Sequence, residues 1–420
     1  MLEAATARGV RMNNSPGAVP PRVLQRTLHK ITESLAAELA HPTPAEPDWS
    51  EFEWTIARAV AAMHGVSALL SRALPWAGPE GWKHFVEEQR AHTAKRYERI
   101  AELLQRLDRQ MQEAGVAVTA LKGAALHAMG LYAAGERPMA DIDLLVRPAQ
   151  TERAASILES LGLHESSVSW KERVFSPKED RGPADLGEHA NNGIKIELHT
   201  RICEKLPLRI TDASELIFPR LPQPGLNPYP SKASLMLHLL LHAAGSMTTR
   251  ALRLLHLHDL ARLSSVMTEL DWQELLAQNS RDLRLWWAFP PLKLVSRYYP
   301  AAIPVRVLTA LAGECPFLLK SIATSRVLYD VSYSYPWVNA FPGIEWSQSL
   351  GEMLEYAASR VKPDAGHVAS REHNAKTQAW ALQSSWERLS QGRRMVRWIT
   401  SRPTRAPTMH AVRAALAQTR

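Results

Sequence analysis

Strand signals are confined to one stretch of this chain, residues 115–202, and that confinement limits what the rest can be. Val116–Leu121 is a short β-branched run and Asp141–Val146 is a second. Ile194–His199 alternates apolar and polar residues as a half-buried strand does. The span Gln150 to Leu161 reads as a helix between the second and third runs, so the order is βαβ-like. Helical spacing dominates on both sides. Val23–Leu39 is amphipathic, Asp48-Trp49-Ser50-Glu51 opens a helix running to Leu70, and Trp82 to Ala114 reads as one long charged helix capped by Gly115. After the proline-rich stretch Pro219–Pro230, the best boundary in the sequence, the chain is helical again from Ser231. The fold class this predicts is α+β: a small mixed β-sheet core flanked by helical N- and C-terminal parts. The expected units are a flexible segment with a short helix (1–47), a helical region (48–114), the core (115–218), a helical domain (231–387) and an arginine-rich tail (388–420).

Composition narrows the function classes. A chain of 420 residues exceeds the usual range of roughly 100–200 for one domain. The net charge of +8 is unevenly spread: residues 388–420 hold eight arginines and no Asp or Glu, which alone supplies the excess. The tail therefore reads either as an electrostatic footprint on nucleic acid or an anionic membrane, or as a solvated terminus whose order Pro403 and Pro407 weaken. Cys203 and Cys315 stand far apart without CxxC spacing, against a disulfide framework or structural zinc and in favour of a reducing cytoplasm. No apolar run of 18 residues occurs, so no membrane span is expected. The charged opening (Glu3, Arg8, Arg11) lacks the apolar centre of a secretory signal.

The chemistry sits on the β-runs. Eighteen residues after Gly123, in the turn Leu121-Lys122-Gly123-Ala124, comes Asp141-Ile142-Asp143-Leu144. Alternate residues of a strand face one side, so Asp141 and Asp143 project together while Ile142 and Leu144 enter the core. Two carboxylates so placed repel, and a divalent cation relieves the repulsion. Hard oxygen donors suit Mg2+ or Mn2+. Glu197, between Ile196 and Leu198 on a later β-run, is the candidate third ligand. Carboxylates holding two metals would activate a hydroxyl and steady a pyrophosphate leaving group.

These residues carry a resemblance. The Gly turn, D-x-D and later acid resemble the polymerase-β-like nucleotidyltransferase superfamily. More closely, the chain resembles a bacterial family of uncharacterised minimal nucleotidyltransferases, which reads LKG-aaL, an Arg, then DiDLLV; here these are Leu121–Leu126, Arg137 and Asp141–Val146. Ala62-Met63-His64-Gly65-Val66 with Leu69-Leu70 is similar to its upstream helix, and Ile196-Glu197-Leu198-His199 to its third-acid strand. Leu237-His238-Leu239, His242-Ala243-Ala244, Leu254 to Leu263 and Asp271-Trp272 are similar to its helical half, for a coverage of roughly residues 50–280.

The resemblance implies transfer of a nucleoside monophosphate from an NTP to a hydroxyl acceptor, with release of pyrophosphate. Asp141, Asp143 and Glu197 would be the metal ligands, with Lys122, Gly123 and Ala124 at the nucleotide. Ala124 stands where the superfamily prefers Ser, and Glu197 where it prefers Asp. Arg137 either forks onto the triphosphate or pairs with Asp141 or a loop carbonyl, and Asp259 is the candidate for contacting the nucleotide or second substrate. His199 faces the same side as Glu197. His238 and His242 have ligand spacing, but Leu239 replaces the Glu of an HExxH motif, so they read as core or interface histidines. Two other readings stay open: a nucleotide-binding or interaction protein without turnover, and an RNA-directed terminal nucleotidyltransferase using the basic tail. The geometric expectation is that Asp141, Asp143 and Glu197 converge on one pocket with the Gly123 turn opposite.

Overall fold

A computed structural model describes residues 19–178, 186–280, 283–363, 386 and 389–418. Four helices lead into the sheet: α1 (Pro21–Ala40), α2 (Glu51–Met63), α3 (Ser67–Ala73) and α4 (Glu80–Glu113). The start of α2 is set by a capping box, in which Ser50 and Glu53 each satisfy the other's backbone amide. The α+β middle then runs β1 (Ala117–Ala120), α5 (Lys122–Ala128), β2 (Asp141–Val146), α6 (Thr151–Ser160), β3 (Leu163–Val168), β4 (Glu172–Pro177), β5 (Lys195–His199), β6 (Cys203–Lys205), β7 (Ile210–Asp212), α7 (Ser214–Ile217) and β8 (Gly225–Asn227). Helices resume with α8 (Lys232–Thr248), α9 (Leu254–Ser264), α10 (Glu269–Ala277), α11 (Phe289–Tyr298), α12 (Val305–Glu314), α13 (Phe317–Ser325), α14 (Leu328–Val331) and α15 (Leu350–Val361). The helices Gln391–Thr400 (α16) and Ala406–Ala417 (α17) follow.

The main sheet has the order β3-β4-β5-β2-β1-β8, and β6 pairs with β7 separately. β2 lies parallel to β5 and antiparallel to β1, which makes the sheet mixed. In this register Asp143 stands opposite Glu197, and Leu145 opposite His199. The period of two then sorts the faces. Ile142, Leu144, Val146, Ile196 and Leu198 join Ile100, Leu107 and Met111 of α4 and Leu158 of α6 in one core. Asp141, Asp143 and Glu197 are left on the opposite face, toward the helical half.

That half is one body. Leu28 and Leu35 of α1, Ile56 and Val60 of α2, Leu237 and Leu240 of α8, Leu257 and Leu260 of α9 and Leu292 of α11 share a second core. The arginine-rich tail is drawn into it: Ala411, Val412 and Ala415 of α17 are buried there. Residues 391–418 are therefore folded structure, where the sequence left a solvated terminus open. His64, in the HGV element, ties the N-terminal helices to the C-terminal ones within this body. Its Nδ1 accepts the Leu254 amide at 2.8 Å, and its Nε2 lies 2.9 Å from the Ser334 hydroxyl. Gly65 follows at φ +68, where a Cβ would press on Leu255.

Strands β3, β4, β6, β7 and β8 lie outside the three β-runs that the sequence marks. β3 carries His164-Glu165-Ser166-Ser167, a polar run that shows little apolar alternation because it forms an edge. β8 sits inside the proline-rich stretch 219–230, which the sheet takes up as its other edge, parallel to β1. Arg96 of α4, 2% exposed, fixes the approach to both acidic strands. Its guanidinium donates to the carbonyls of Met139 (2.9 Å) and Ala140 (2.7 Å) before β2, and to those of Asn192 (2.7 Å) and Gly193 (3.2 Å) before β5.

Candidate functional site

A cavity of about 250 Å3 lies between the carboxylate-bearing face of β2 and helices α8 and α9. Lys122, Gly123, Asp141 and Asp143 form one side, and His242, Arg253, His256 and Tyr333 stand among the residues of the other. Asp143 is the most engaged of the acids. Lys122 Nζ donates to its Oδ1 at 2.7 Å and His199 Nε2 to the same oxygen at 3.0 Å. Glu197 comes alongside, its Oε2 3.6 Å from His199 Nε2. Asp143, Glu197 and His199 each offer one ligand atom, and these lie within 4.8 Å of one another, a spacing able to hold a metal ion.

The electrostatics follow from burial. Burial alone would raise Asp143, but the Lys122 ammonium and the His199 bond outweigh it and hold the carboxyl well below its ordinary range. Asp141 moves the other way: burial pushes it up, and the neighbouring Asp143 and Glu197 push it further. Burial disfavours a charge on Lys122, yet Asp143, Asp141 and Glu197 together raise its pKa. His199 likewise is raised against its burial, by its bonds to Asp143 and Glu197. Acids and a cation are thus packed so that each sets the charge state of the next.

The Lys122 backbone has φ +45, a left-handed conformation costly for a residue with a Cβ. Tyr229 meets the Lys122 amide at 3.3 Å and His238 Nδ1 at 2.7 Å, so a half-buried tyrosine and a buried histidine lie behind the turn. That is where His238 is used. His242 instead lines the cavity, its ring 4.8 Å from that of His256, and burial lowers both pKa values. Among the described residues neither joins a metal-holding group.

The other candidates lie behind the turn. Arg137 donates to Asp259 twice, from Nε at 2.8 Å and Nη2 at 2.7 Å, and its Nη1 donates to the Pro138 carbonyl. Tyr132 adds a third bond to Asp259 at 2.8 Å. Both side chains border the cavity yet are almost fully buried, 8% and 3% exposed. The space Gly123 leaves free is filled by the Arg137 guanidinium, on which a Cβ there would collide. Ala124 lies off the cavity: its methyl is in the sheet core and its amide donates to the Leu121 carbonyl at 3.2 Å. Arg253 and Tyr333 were not singled out in the sequence. Nothing near them in the chain marks them, since the fold alone brings them to Asp141.

No curated protein and no solved structure matches the chain. A family model described as "Uncharacterised nucleotidyltransferase" matches residues 50–288, from the start of α2 to the approach of α11. That span takes in the HGV joint, the Lys122–Gly123 turn, both acidic strands and Asp259, and the chain belongs to this family of uncharacterised nucleotidyltransferases.

Proposed function

We propose that the protein transfers a nucleoside monophosphate from an NTP to a hydroxyl-bearing acceptor and releases pyrophosphate. The observation that carries this reading is Asp143, which lines the cavity with Asp141 and Lys122 and stands opposite Glu197 across paired strands. The donor set favours Mg2+ or Mn2+: it is mainly carboxylate oxygen, and a bound dication would offset the repulsion that raises Asp141. Asp141, Asp143 and Glu197 would hold it, and when bound it would supply charge for the phosphoryl oxygens and acidify the attacking hydroxyl.

The chain's own residues account for the rest. Lys122 neutralises Asp143 and, when the carboxylates take a dication, its ammonium becomes available to a phosphate oxygen. Gly123 lines the cavity, and its backbone would meet the nucleotide there. Arg137 and Asp259 act from behind, filling the space under Gly123 and fixing the turn. Ala124 anchors the same turn to the sheet core. His199 orients Asp143 by the bond from its Nε2.

The test uses NTPs labelled at the α-phosphate, with Mg2+ or Mn2+ and a lysate of acceptors. Wild type should transfer label and Asp143→Asn should fall to background. Equal labelling by the two, or none by either, would sink the proposal.

A further inference from the structure

A group of arginines lies at the side of the cavity away from the carboxylate strands. Arg253, which immediately precedes α9, lines the cavity, and its guanidinium lies 5.7 Å from the centroid of the Tyr333 ring. Arg405, from the tail, lies over the same ring at 4.6 Å. It spends its donors on backbone carbonyls, those of Arg250, Ser332 and Thr249. Arg250 stands beside it, 5.1 Å from the Tyr335 ring. Among the described residues none of the three is within ion-pairing distance of a carboxylate. Burial lowers the pKa of Arg250 and Arg405, and each is lowered further by a neighbouring arginine, Arg326 for the first and Arg250 for the second. Like charges gathered this way, half-buried and with no carboxylate at ion-pairing distance from the three, destabilise the fold unless something negative offsets them, and Glu345 and Asp330 act on Arg250 only from farther away. Arg253 also acts on Asp141, so its field reaches across the cavity to the acidic strand.

We propose that Arg253, propped by Tyr333 and backed by the charge of Arg405, is an anion site that binds phosphate oxygens inside the cavity. The forked N–H donors of a guanidinium match a phosphate, and an anion held there would lie between the arginines and the carboxylate strand. Only the choice of a phosphate over another anion rests on the transferase reading. Two sources share this chemistry, the triphosphate of the NTP and a phosphate on the acceptor.

The test is titration calorimetry of the full chain with sodium tripolyphosphate in EDTA, so that no divalent ion and no turnover are involved. Wild type should bind, and Arg253→Ala should bind about tenfold more weakly, in the range expected for losing one charge-assisted contact. Arg253→Lys, which keeps the charge, should fall between them. No binding by wild type, or equal binding by wild type and Arg253→Ala, overturns the site. A lysine variant as weak as the alanine variant also overturns it, since the loss would then come from disturbed packing. A non-hydrolysable NTP that displaces tripolyphosphate assigns the site to the nucleotide, and simultaneous binding of both assigns it to a phosphorylated acceptor. Failure of label transfer with the Arg253 difference intact would remove the transferase reading and leave the anion site standing.

Discussion

Removing Arg137 should strand a carboxylate in the interior, and the structure sets the size of the effect. Asp259 is 3% exposed at its side chain and accepts from Arg137 at 2.8 and 2.7 Å. Breaking a buried pair by deleting one partner costs about 3–5 kcal/mol, because the remaining charge is desolvated without compensation. Tyr132 keeps its bond to Asp259, so Arg137→Met should sit at the low end, about 3 kcal/mol. Asp259→Leu should cost as much or more, since it leaves a buried guanidinium with only the Pro138 carbonyl. The double variant Arg137→Met with Asp259→Leu buries no charge. Its main residual cost is the orphaned Tyr132 hydroxyl, roughly 1–3 kcal/mol. It should therefore be more stable than Asp259→Leu alone and far more stable than the sum of the single losses. Urea unfolding of the full chain, followed by far-ultraviolet circular dichroism, reads all four proteins. A loss below about 1 kcal/mol for Arg137→Met, or a double variant that loses the sum of the singles, would refute the reasoning, because contacting side chains must couple. Arg137 would then be free to meet a ligand directly.

Two further outcomes follow from packing and burial. Gly123→Ala places a methyl on the Arg137 guanidinium and 3.0 Å from Met139 Cγ, so it should lower stability by about 1–3 kcal/mol; an unfolding midpoint equal to wild type would contradict that packing. His64 is held neutral, its pKa lowered from 6.5 to about 3 by burial and then by Arg253, with Nδ1 accepting the Leu254 amide. Since the unfolded state binds the proton more readily, this contribution is complete above the unfolded value and is lost as pH falls toward the folded one, at about 1.4 kcal/mol per pH unit. His64→Asn, whose Oδ1 can replace Nδ1 as acceptor, should therefore lose stability less steeply than wild type between pH 6 and pH 4. Parallel curves for the two proteins would count against the assignment.

The acidic face was legible because a strand has a period of two. Once Asp141–Val146 is a strand, Asp141 and Asp143 must share a side, and Ile196 and Leu198 place Glu197 in the same way. Which strands are neighbours is a tertiary fact, and the parallel pairing of β2 with β5 had to come from the structure. His199 was placed on the side of Glu197 by the same periodicity, but its bond to Asp143 depends on that pairing. The edge strands were hidden by their polarity, and β8 by the prolines around it. Arg137 is marked by its place in the family motif and Asp259 by its place on the helix Leu254 to Leu263. Their attachment to each other, 122 positions apart, has no local signature. The packing of the tail has no local mark: its arginines stand out in the sequence, while Ala411, Val412 and Ala415, which bury it, do not.

The grip of Arg96 on two loops makes α4 an alignment pin for chemistry it never touches. A slip of β5 by one residue would turn Glu197 into the apolar core and bring Ile196 or Leu198 to the acidic side. Such a slip would have to pull the carbonyls of Asn192 and Gly193 off a guanidinium that also holds those of Met139 and Ala140. The spacing of the acids is thus gauged from behind the sheet. Wear at that pin, by a substitution remote from the cavity, would show itself as misaligned ligands before it showed itself as a loosened fold.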